Sequence, residues 1–294
     1  MTIIKTNQPP KPGARPAPTR RPLPIRSSKL AKRGRSVLYI GKNATGKTLR
    51  ALSWPGPLIL QFDPERETAD NYETELPIIE VSDWSTWEQL ILPVLGSRQR
   101  TQEAITDFGF PDYQVQTVVV DSYTGLDQMC ETEMRKREPT NNQRMYGEKL
   151  LALRETQRIL SALTQLSKDT APWNLVGCVH EQVDMTTIEV NGKFKEVTED
   201  IRASISGRFG KHFFGHWGTI LWCMVDVPTT RDGELIRGKS ANYYCRTDPI
   251  DQWRRGVDRA GKLPAKVAGD YADLMSYWSV DDATSPPSAN STNA

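Results

Sequence analysis

The sequence predicts an α/β fold in which a mostly parallel sheet is flanked by helices. Segments with strand patterns alternate with segments with helical patterns between residues 36 and 247, which is typical of parallel sheets covered by helices. The run that ends with Val118, Val119 and Val120 has the composition of a strand buried on both faces. A glycine-containing turn at residues 41–46 follows the first strand and leads into a short helix. These features indicate one α/β domain without internal repeats.

Each predicted element follows from its local pattern. Short β-branched and apolar runs predict strands at 36–40, 58–62, 78–81, 115–120, 174–180, 219–225 and 242–247. Apolar residues at helical spacing predict helices at 84–95, 124–136 and 147–167. The dipeptide Asn191-Gly192 lies between the strand patterns 186–190 and 193–197, and it favours the tight turn of a β-hairpin.

Positive charge is concentrated in a proline-rich N-terminal segment. Residues 1–35 contain ten Lys or Arg and no acidic residue, so residues 36–294 carry a net charge of −8 although the whole chain carries +2. Residues 1–33 hold seven prolines and few bulky apolar groups, and we expect this tail to be disordered. The Ser/Thr/Asn/Pro-rich residues 281–294 are also expected to be disordered. The folded domain is therefore predicted over 34–280.

Composition predicts a soluble protein of the cytoplasm. The longest apolar runs have the length of strands, whereas a membrane span needs about 20 apolar residues, and the mean hydropathy is −0.55. No membrane partner is expected. The four cysteines are widely spaced and form no Cys-x-x-Cys pair, which indicates reduced core residues. They are Cys130, Cys178, Cys223 and Cys245.

The turn after the first strand contains a phosphate-binding motif. Residues 41–48 match Gly-x4-Gly-Lys-Thr at every fixed position and lie between a predicted strand and a predicted helix. Glycines let successive backbone N–H groups point at phosphate oxygens. Lys47 would reach the β and γ phosphates of ATP, and the Thr48 hydroxyl would bind Mg²⁺. The predicted nucleotide contacts are Gly41, Asn43, Ala44, Thr45, Gly46, Lys47 and Thr48.

Three further polar residues lie at or just past the ends of predicted strands. Asp121 ends the most apolar strand, and a carboxylate there can hold the Mg²⁺ shell. Ser122 follows it, so a water-activating carboxylate must come from elsewhere, and Glu65, just past the second strand, is the candidate. His180 ends a strand expected beside that of Asp121, where it could sense the γ-phosphate.

A zinc site is the weakest of the interpretations considered. His212 and His216 are four residues apart and could share a helix face. No cysteine or carboxylate lies at ligand spacing from them, so we expect no metal besides Mg²⁺.

The order of these motifs resembles RecA-like ATPases, and more narrowly the short phage ATPases of the Sak type that assist single-strand annealing and homologous recombination. The resemblance extends over roughly residues 36–265. It rests on the phosphate loop, Phe62-Asp-Pro-Glu65, Asp121-Ser122, His180-Glu181, the hairpin and the basic stretch from Arg254 to Lys262.

The resemblance implies a RecA-like ATPase domain at 34–280 that forms a homo-oligomer, either a ring or a filament. It implies DNA-stimulated hydrolysis of ATP with Mg²⁺, binding of single-stranded DNA by residues 182–205, and a nuclease or single-strand-binding protein as a partner. For a phage protein the location is the host cytoplasm. The catalytic residues would be Lys47, Glu65 and His180, with Thr48 and Asp121 at Mg²⁺. A neighbouring subunit would supply a basic residue from Arg254, Arg255, Arg259 and Lys262.

Basic and aromatic residues after His180 suggest where single-stranded DNA would bind. Basic groups hold the phosphate backbone while an aromatic ring stacks on a base. The candidates are Lys193, Phe194, Lys195, Arg202, Arg208 and Lys211. The alternative is that the hairpin is an ordinary surface loop, and that the basic N-terminal tail binds another protein or aids solubility.

Two other functions use the same loop. One is a P-loop ATPase of DNA replication, such as a helicase-like factor or a loader. The other is a small-molecule kinase, which would need an arginine-rich lid. Arg98 to Arg100 or Arg135 to Arg137 could form such a lid, although neither stretch has a clear lid pattern.

Overall fold

The computed structural model describes residues 34–62, 75–165, 171–190, 193–205, 207–229, 240–251 and 254–279. They belong to one compact unit, Arg33–Ala294. Within these ranges the chain forms ten strands and eight α-helices. The two tails expected to be disordered, 1–33 and 281–294, lie outside the described residues. So does Glu65.

Most of the sheet strands coincide with the short apolar runs of the sequence. They are β1 (Ser36–Gly41), β2 (Pro57–Gln61), β3 (Ile78–Glu80), β4 (Thr117–Asp121), β5 (Asn174–Val190), β6 (Lys193–Ala203), β7 (Thr219–Asp226), β8 (Asn242–Arg246), β9 (Val257–Asp258) and β10 (Lys266–Val267). All five residues of β2 and of β4 are buried, as expected for strands covered on both faces.

The helices lie between the strands in the chain. They are α1 (Lys47–Leu52), α2 (Trp84–Thr86), α3 (Leu92–Leu95), α4 (Arg98–Asp107), α5 (Tyr123–Arg137), α6 (Asn142–Leu163), α7 (Gly207–Phe213) and α8 (Tyr271–Trp278). The predicted helix 84–95 exists, but a π-helical turn at Trp87–Ile91 separates α2 from α3. In the described part of the chain, no helix is both long and apolar enough to cross a membrane.

The sheet is mostly parallel, as predicted. Its strand order is β10-β8-β7-β1-β5-β4-β2-β3, and β6 and β9 pair with β5 and β7 beside this path. The pairs from β7 across to β3 are parallel, whereas β8, β9 and β10 pair in antiparallel fashion. This is the α/β arrangement of a P-loop nucleotide-binding core.

The central strand β5 lies between β1 and β4 and fixes where their ends meet. Gly41 of β1 is opposite His180, and Asp121 of β4 is opposite Cys178. Gly177 lets β5 pass beneath two aromatic rings, because a Cβ there would come within 2.6 Å of Trp217 and 2.8 Å of Tyr123. The carboxyl ends of the three strands therefore share one edge of the sheet.

The predicted hairpin is longer than the sequence pattern indicated. β5 runs without interruption to Val190 and pairs with β6 from Glu181 opposite Ala203 to Val190 opposite Lys193. The pattern suggested separate strands at 174–180 and 186–190. No glycine or proline lies at 181–186 to end the first one, so the extended conformation continues.

Helices and short strands that lack a strong sequence pattern were not predicted. These are α4, α7, α8, β9 and β10. α6 begins five residues before the predicted start, because the Asn141 side chain accepts a hydrogen bond from the Arg144 N–H and caps the helix there. The cysteines were predicted correctly, since all four are free and buried.

Candidate nucleotide-binding site

The phosphate loop between β1 and α1 adopts a strained, curled conformation. Gly46 has a φ of +76° and Ala44 a φ of +58°, in the left-handed region that glycine tolerates best. The Thr45 hydroxyl donates to the Lys42 carbonyl at 2.9 Å and closes the loop. The loop backbone therefore has the shape that groups phosphate-binding N–H donors together.

Lys47 lies inside this loop. It is buried, and its ammonium group donates to the carbonyls of Gly41 at 3.0 Å and Lys42 at 2.6 Å. Both acceptors belong to the phosphate loop itself. The charge is thus held where phosphate oxygens would come to lie.

Thr48 and Asp121 are joined by a hydrogen bond. The Thr48 hydroxyl donates to a carboxylate oxygen of Asp121 at 2.8 Å, and both side chains are buried. The structure brings them together although they are 73 residues apart in the chain. The peptide bond between Asp121 and Ser122 is cis.

These two oxygens fit a magnesium ion. Mg²⁺ prefers oxygen ligands and is usually held by one or two protein groups together with phosphates and waters. Among the described residues, no group of three or more His, Cys, Asp or Glu could form a closed metal cage. Within the described residues, His212 and His216 therefore have no third ligand of these types beside them. Partial burial lowers the pKa of His216.

A large cavity opens above the loop. Its volume is about 1450 Å³. It extends along α5 from Thr124 to Lys136, which in an α-helix is about 18 Å. Loop residues 43–48, Ser122, His180, Tyr243, Ala268 and Asp270 also line it. The predicted loop residues 43–48 and His180 thus face one common space, whereas Gly41 and Asp121 are not among the residues that line it.

His180 lies at the point where β5 leaves the sheet. Its backbone N–H donates to the hydroxyl of Thr124 at 3.0 Å, and Thr124 belongs to the first turn of α5. Both residues line the cavity. The hairpin begins at the next residue, Glu181. A change at the phosphate end of the cavity therefore has a short path into the hairpin.

The carboxylates that line the described part of the cavity are engaged by their own helices. Hydrogen bonds from the backbone and side chain of Thr86 lower the pKa of Asp83. Glu133 pairs with Arg137 at 3.1 Å, and Asp270 accepts the Asp273 N–H. These groups are poorly placed to activate water. Glu65 remains the sequence-based candidate for that role.

Arg50 was not singled out in the sequence, yet it holds the loop backbone and also lines the cavity. It is buried, and its guanidinium donates to the carbonyls of Thr45 at 3.0 Å, Gly46 at 3.1 Å and Ala268 at 2.7 Å. The segment after β10 is thereby tied to the phosphate loop. Only the contact across 218 residues reveals this role, and no local sequence pattern indicates it.

The basic stretch from Arg254 to Lys262 is mostly engaged within its own chain. Arg254 makes two hydrogen bonds to the Glu181 carboxylate at 2.8 and 3.1 Å, which raise the pKa of its guanidinium. Arg259 donates to the Trp217 carbonyl, and Lys262 donates to the Trp278 carbonyl. Arg255 is exposed.

The hairpin carries both exposed aromatic and charged groups. Phe194 is 80% exposed, and Lys195 is also exposed. Arg202 instead pairs with Asp184 at 2.9 Å. The side chains of Lys193, Arg208 and Lys211 lie outside the described part. Residues 181–203 contain six acidic and three basic residues, and two of the basic residues, Lys193 and Lys195, flank Phe194. Arg208 and Lys211 stay predictions.

The glycine-rich loop, the buried Thr48–Asp121 pair and the parallel sheet define a P-loop nucleoside-triphosphate-binding protein. A family profile described as an AAA domain matches residues 33–213. This match covers more than half of the chain, and the protein belongs to that AAA-domain family. The family supports nucleotide binding and ATPase activity in general, usually with Mg²⁺. No curated protein matches the sequence.

The Glu181–Arg254 pair generates a prediction about the root of the hairpin. The side chains are 3% and 16% exposed, and Arg254 also pairs with Asp251 at 2.7 Å. We expect Arg254→Gln to lower the free energy of unfolding by about 3 kcal/mol, because it leaves the Glu181 charge buried without its partner. Glu181→Gln should lose less, because Asp251 still pairs with Arg254. Urea denaturation measures both. The double variant should lose less than the sum of the two.

The matched control is Arg202→Gln, which breaks an exposed ion pair on the same hairpin. Such pairs contribute about 1 kcal/mol or less. Equal losses in the control and in Arg254→Gln would show that Arg254 does not anchor the hairpin.

Proposed function

We propose that the protein is a RecA-like ATPase that hydrolyses ATP while acting on single-stranded DNA, in phage-type homologous recombination or strand annealing. The observation that carries the nucleotide part is the 2.8 Å hydrogen bond between Thr48 and Asp121 beside the curled phosphate loop. It places two magnesium-type ligands next to a buried lysine.

Each residue at the site has a distinct proposed task. The loop N–H groups and the Lys47 ammonium bind the phosphates and neutralise the charge that develops during transfer. The Thr48 and Asp121 oxygens would hold Mg²⁺, which supplies charge neutralisation at the β and γ phosphates. Glu65 would accept a proton from the attacking water. His180 would contact the γ-phosphate and respond to its loss.

Coupling between ATP and DNA rests on the continuity of β5. The same strand provides His180 at the cavity and the first half of the hairpin. Thr124 holds its backbone on one side, and Arg254 holds Glu181 at the hairpin root. A displacement of His180 would therefore be transmitted to two hydrogen-bonded strands, β5 and β6, and not to an irregular loop.

The proposed DNA contact lies at the hairpin tip. Lys193, Phe194 and Lys195 are consecutive, and the exposed Phe194 ring is free of covering side chains over most of its surface. An aromatic ring between cations suits binding of single strands without sequence preference. The N-terminal tail, with its excess of positive charge, adds a nonspecific electrostatic contribution.

A small-molecule kinase is less well supported, because three of its four candidate lid arginines are engaged elsewhere, and the fourth, Arg100, is exposed. Arg135 pairs with Glu131 at 2.6 Å, and Arg137 pairs with Glu133 and Glu88 at 3.1 Å. Arg98 donates to the Ala171 carbonyl at 2.9 Å. These contacts favour an ATPase over a kinase.

The nucleotide site is tested by two pairs of variants. Lys47→Ala should weaken ATP binding about 100-fold, because it removes a charged hydrogen-bond donor to phosphate, whereas Lys42→Ala on the same loop should not.

Glu65→Gln should retain ATP binding and slow hydrolysis by a factor on the order of 10² to 10⁴, whereas Glu67→Gln should hydrolyse normally. Calorimetry and phosphate release measure both. Normal hydrolysis by Glu65→Gln would refute its role.

The DNA contact is tested by salt dependence. Replacing Lys193, Phe194 and Lys195 with Ala should abolish the ATP-dependent part of single-strand binding, measured by fluorescence anisotropy. Deleting residues 1–33 should instead flatten the salt dependence, by ~0.7 in log–log slope for each phosphate that the tail no longer neutralises, and leave the ATP dependence intact. Tight, ATP-dependent binding by the triple variant would rule out the tip.

A shared active site is tested by mixing. We propose that Arg255 completes the site of a neighbouring subunit in a homo-oligomer, so Lys47→Ala and Arg255→Ala should each be inactive alone. Mixed, they should recover part of the ATPase rate, because some interfaces then combine an intact loop with an intact arginine. Arg100→Ala, at an exposed arginine of α4, should remain active. Failure to recover at every mixing ratio would contradict a shared site.

A further inference from the structure

Two exposed apolar side chains line the cavity next to the phosphate loop. Leu49 is 55% exposed and Tyr243 is 48% exposed, and both line the cavity. The other large hydrophobic side chains that are exposed in the described part lie elsewhere on the surface. Exposed apolar groups inside a ligand cavity indicate a surface that the ligand covers.

Tyr243 lies directly against the loop. Its Cδ1 atom is 3.9 Å from the position that a Cβ on Gly46 would occupy. The Arg50 guanidinium, which donates to the Gly46 carbonyl, lies on the same side, with one nitrogen 2.7 Å from that Cβ position. In the sheet, Tyr243 of β8 is opposite Val225 of β7, so the residue is part of a paired strand. The ring therefore stands beside a fixed phosphate loop on a fixed support.

The positions of Tyr243 and Asp121 indicate which end of the cavity would hold the terminal phosphates and which end the nucleoside. β8 lies two strands from β1 on one side, and β4 lies two strands from β1 on the other. At about 4.8 Å per strand, each lies about 10 Å from the strand that leads into the loop. The Thr48–Asp121 pair marks the β4 side as the end for the terminal phosphates and the metal. The nucleoside must then extend toward β8.

We propose that Tyr243 is the platform on which the nucleobase stacks, with Leu49 as an apolar neighbour on α1. This assignment rests on the proposed nucleotide-binding function and adds the residue that recognises the base. Every nucleobase has a π-face, so stacking on a phenol ring favours a nucleotide over an inorganic polyphosphate without requiring a particular base. In this proposal Tyr243 binds the base, whereas the phosphate loop binds the phosphates.

The proposal is tested on the full chain with Mg²⁺, using ATP and inorganic triphosphate as two calorimetric probes. Tyr243→Ala should weaken ATP binding about tenfold and change triphosphate binding less than twofold. Tyr243→Phe should bind ATP like the unaltered protein, whereas Tyr243→Leu should lose affinity, because it keeps an apolar side chain and removes the ring.

Tyr244→Ala is the matched control, since this neighbouring tyrosine does not line the cavity and its hydroxyl donates to Asp226. It should bind both probes normally. Equal loss of both probes in Tyr243→Ala would show that the ring only supports the loop. Full ATP affinity in Tyr243→Ala or Tyr243→Leu would also overturn the proposal. If the unaltered protein bound neither probe, the nucleotide-binding function itself would fail. If the unaltered protein bound ATP and inorganic triphosphate equally, only the assignment of Tyr243 as the base platform would fail.

Discussion

The arrangement of the site depends on β5 lying hydrogen-bonded between β1 and β4. Parallel pairing on both sides fixes the register, with Gly41 opposite His180 and Asp121 opposite Cys178. The phosphate loop, the Asp121 carboxylate and His180 must then emerge at one edge of the sheet. Because β5 continues into the hairpin, the strand that fixes the register of the site also forms the first strand of the hairpin. The nucleotide end and the proposed DNA end of the molecule are parts of one strand.

The second constraint comes from residues beyond the part of the chain that the family profile matches. Arg50 ties the phosphate loop to Ala268, and the Tyr39 hydroxyl donates to the Gly269 carbonyl at 2.7 Å. Arg254 holds the hairpin root through Glu181. Residues after 213 thus support the loop and the hairpin, and Tyr243 belongs to the same region.

The sequence predicted the fold class, most strands and the contents of the phosphate loop, because each depends on local patterning. It placed Asp121 at the end of a strand, which the structure confirms. It also placed His180 at a strand end, which is wrong because β5 continues past His180 to Val190, although His180 lies opposite Gly41 at the start of the loop. Other features depend on contacts between distant residues. The bond from Arg50 to Ala268 and the Glu181–Arg254 pair leave no local signal. The hairpin was predicted too short because strands were assigned from apolar runs, and residues 181–186 contain only two apolar side chains, Val183 and Met185. Arg254 was a candidate for completing a neighbouring site and Arg202 a candidate DNA contact, and the structure shows that nearby carboxylates engage both side chains.

Coupling between the phosphate loop and the hairpin is the central claim, and hydrogen exchange tests it most directly. Exchange at backbone amides would be measured with and without Mg²⁺ and a non-hydrolysable ATP analogue, in the absence of DNA. The account predicts slower exchange at residues 41–48 together with altered exchange along 181–203, because His180 joins the two. Slower exchange at the loop with an unchanged hairpin would contradict the claim, even if ATP is bound and hydrolysed.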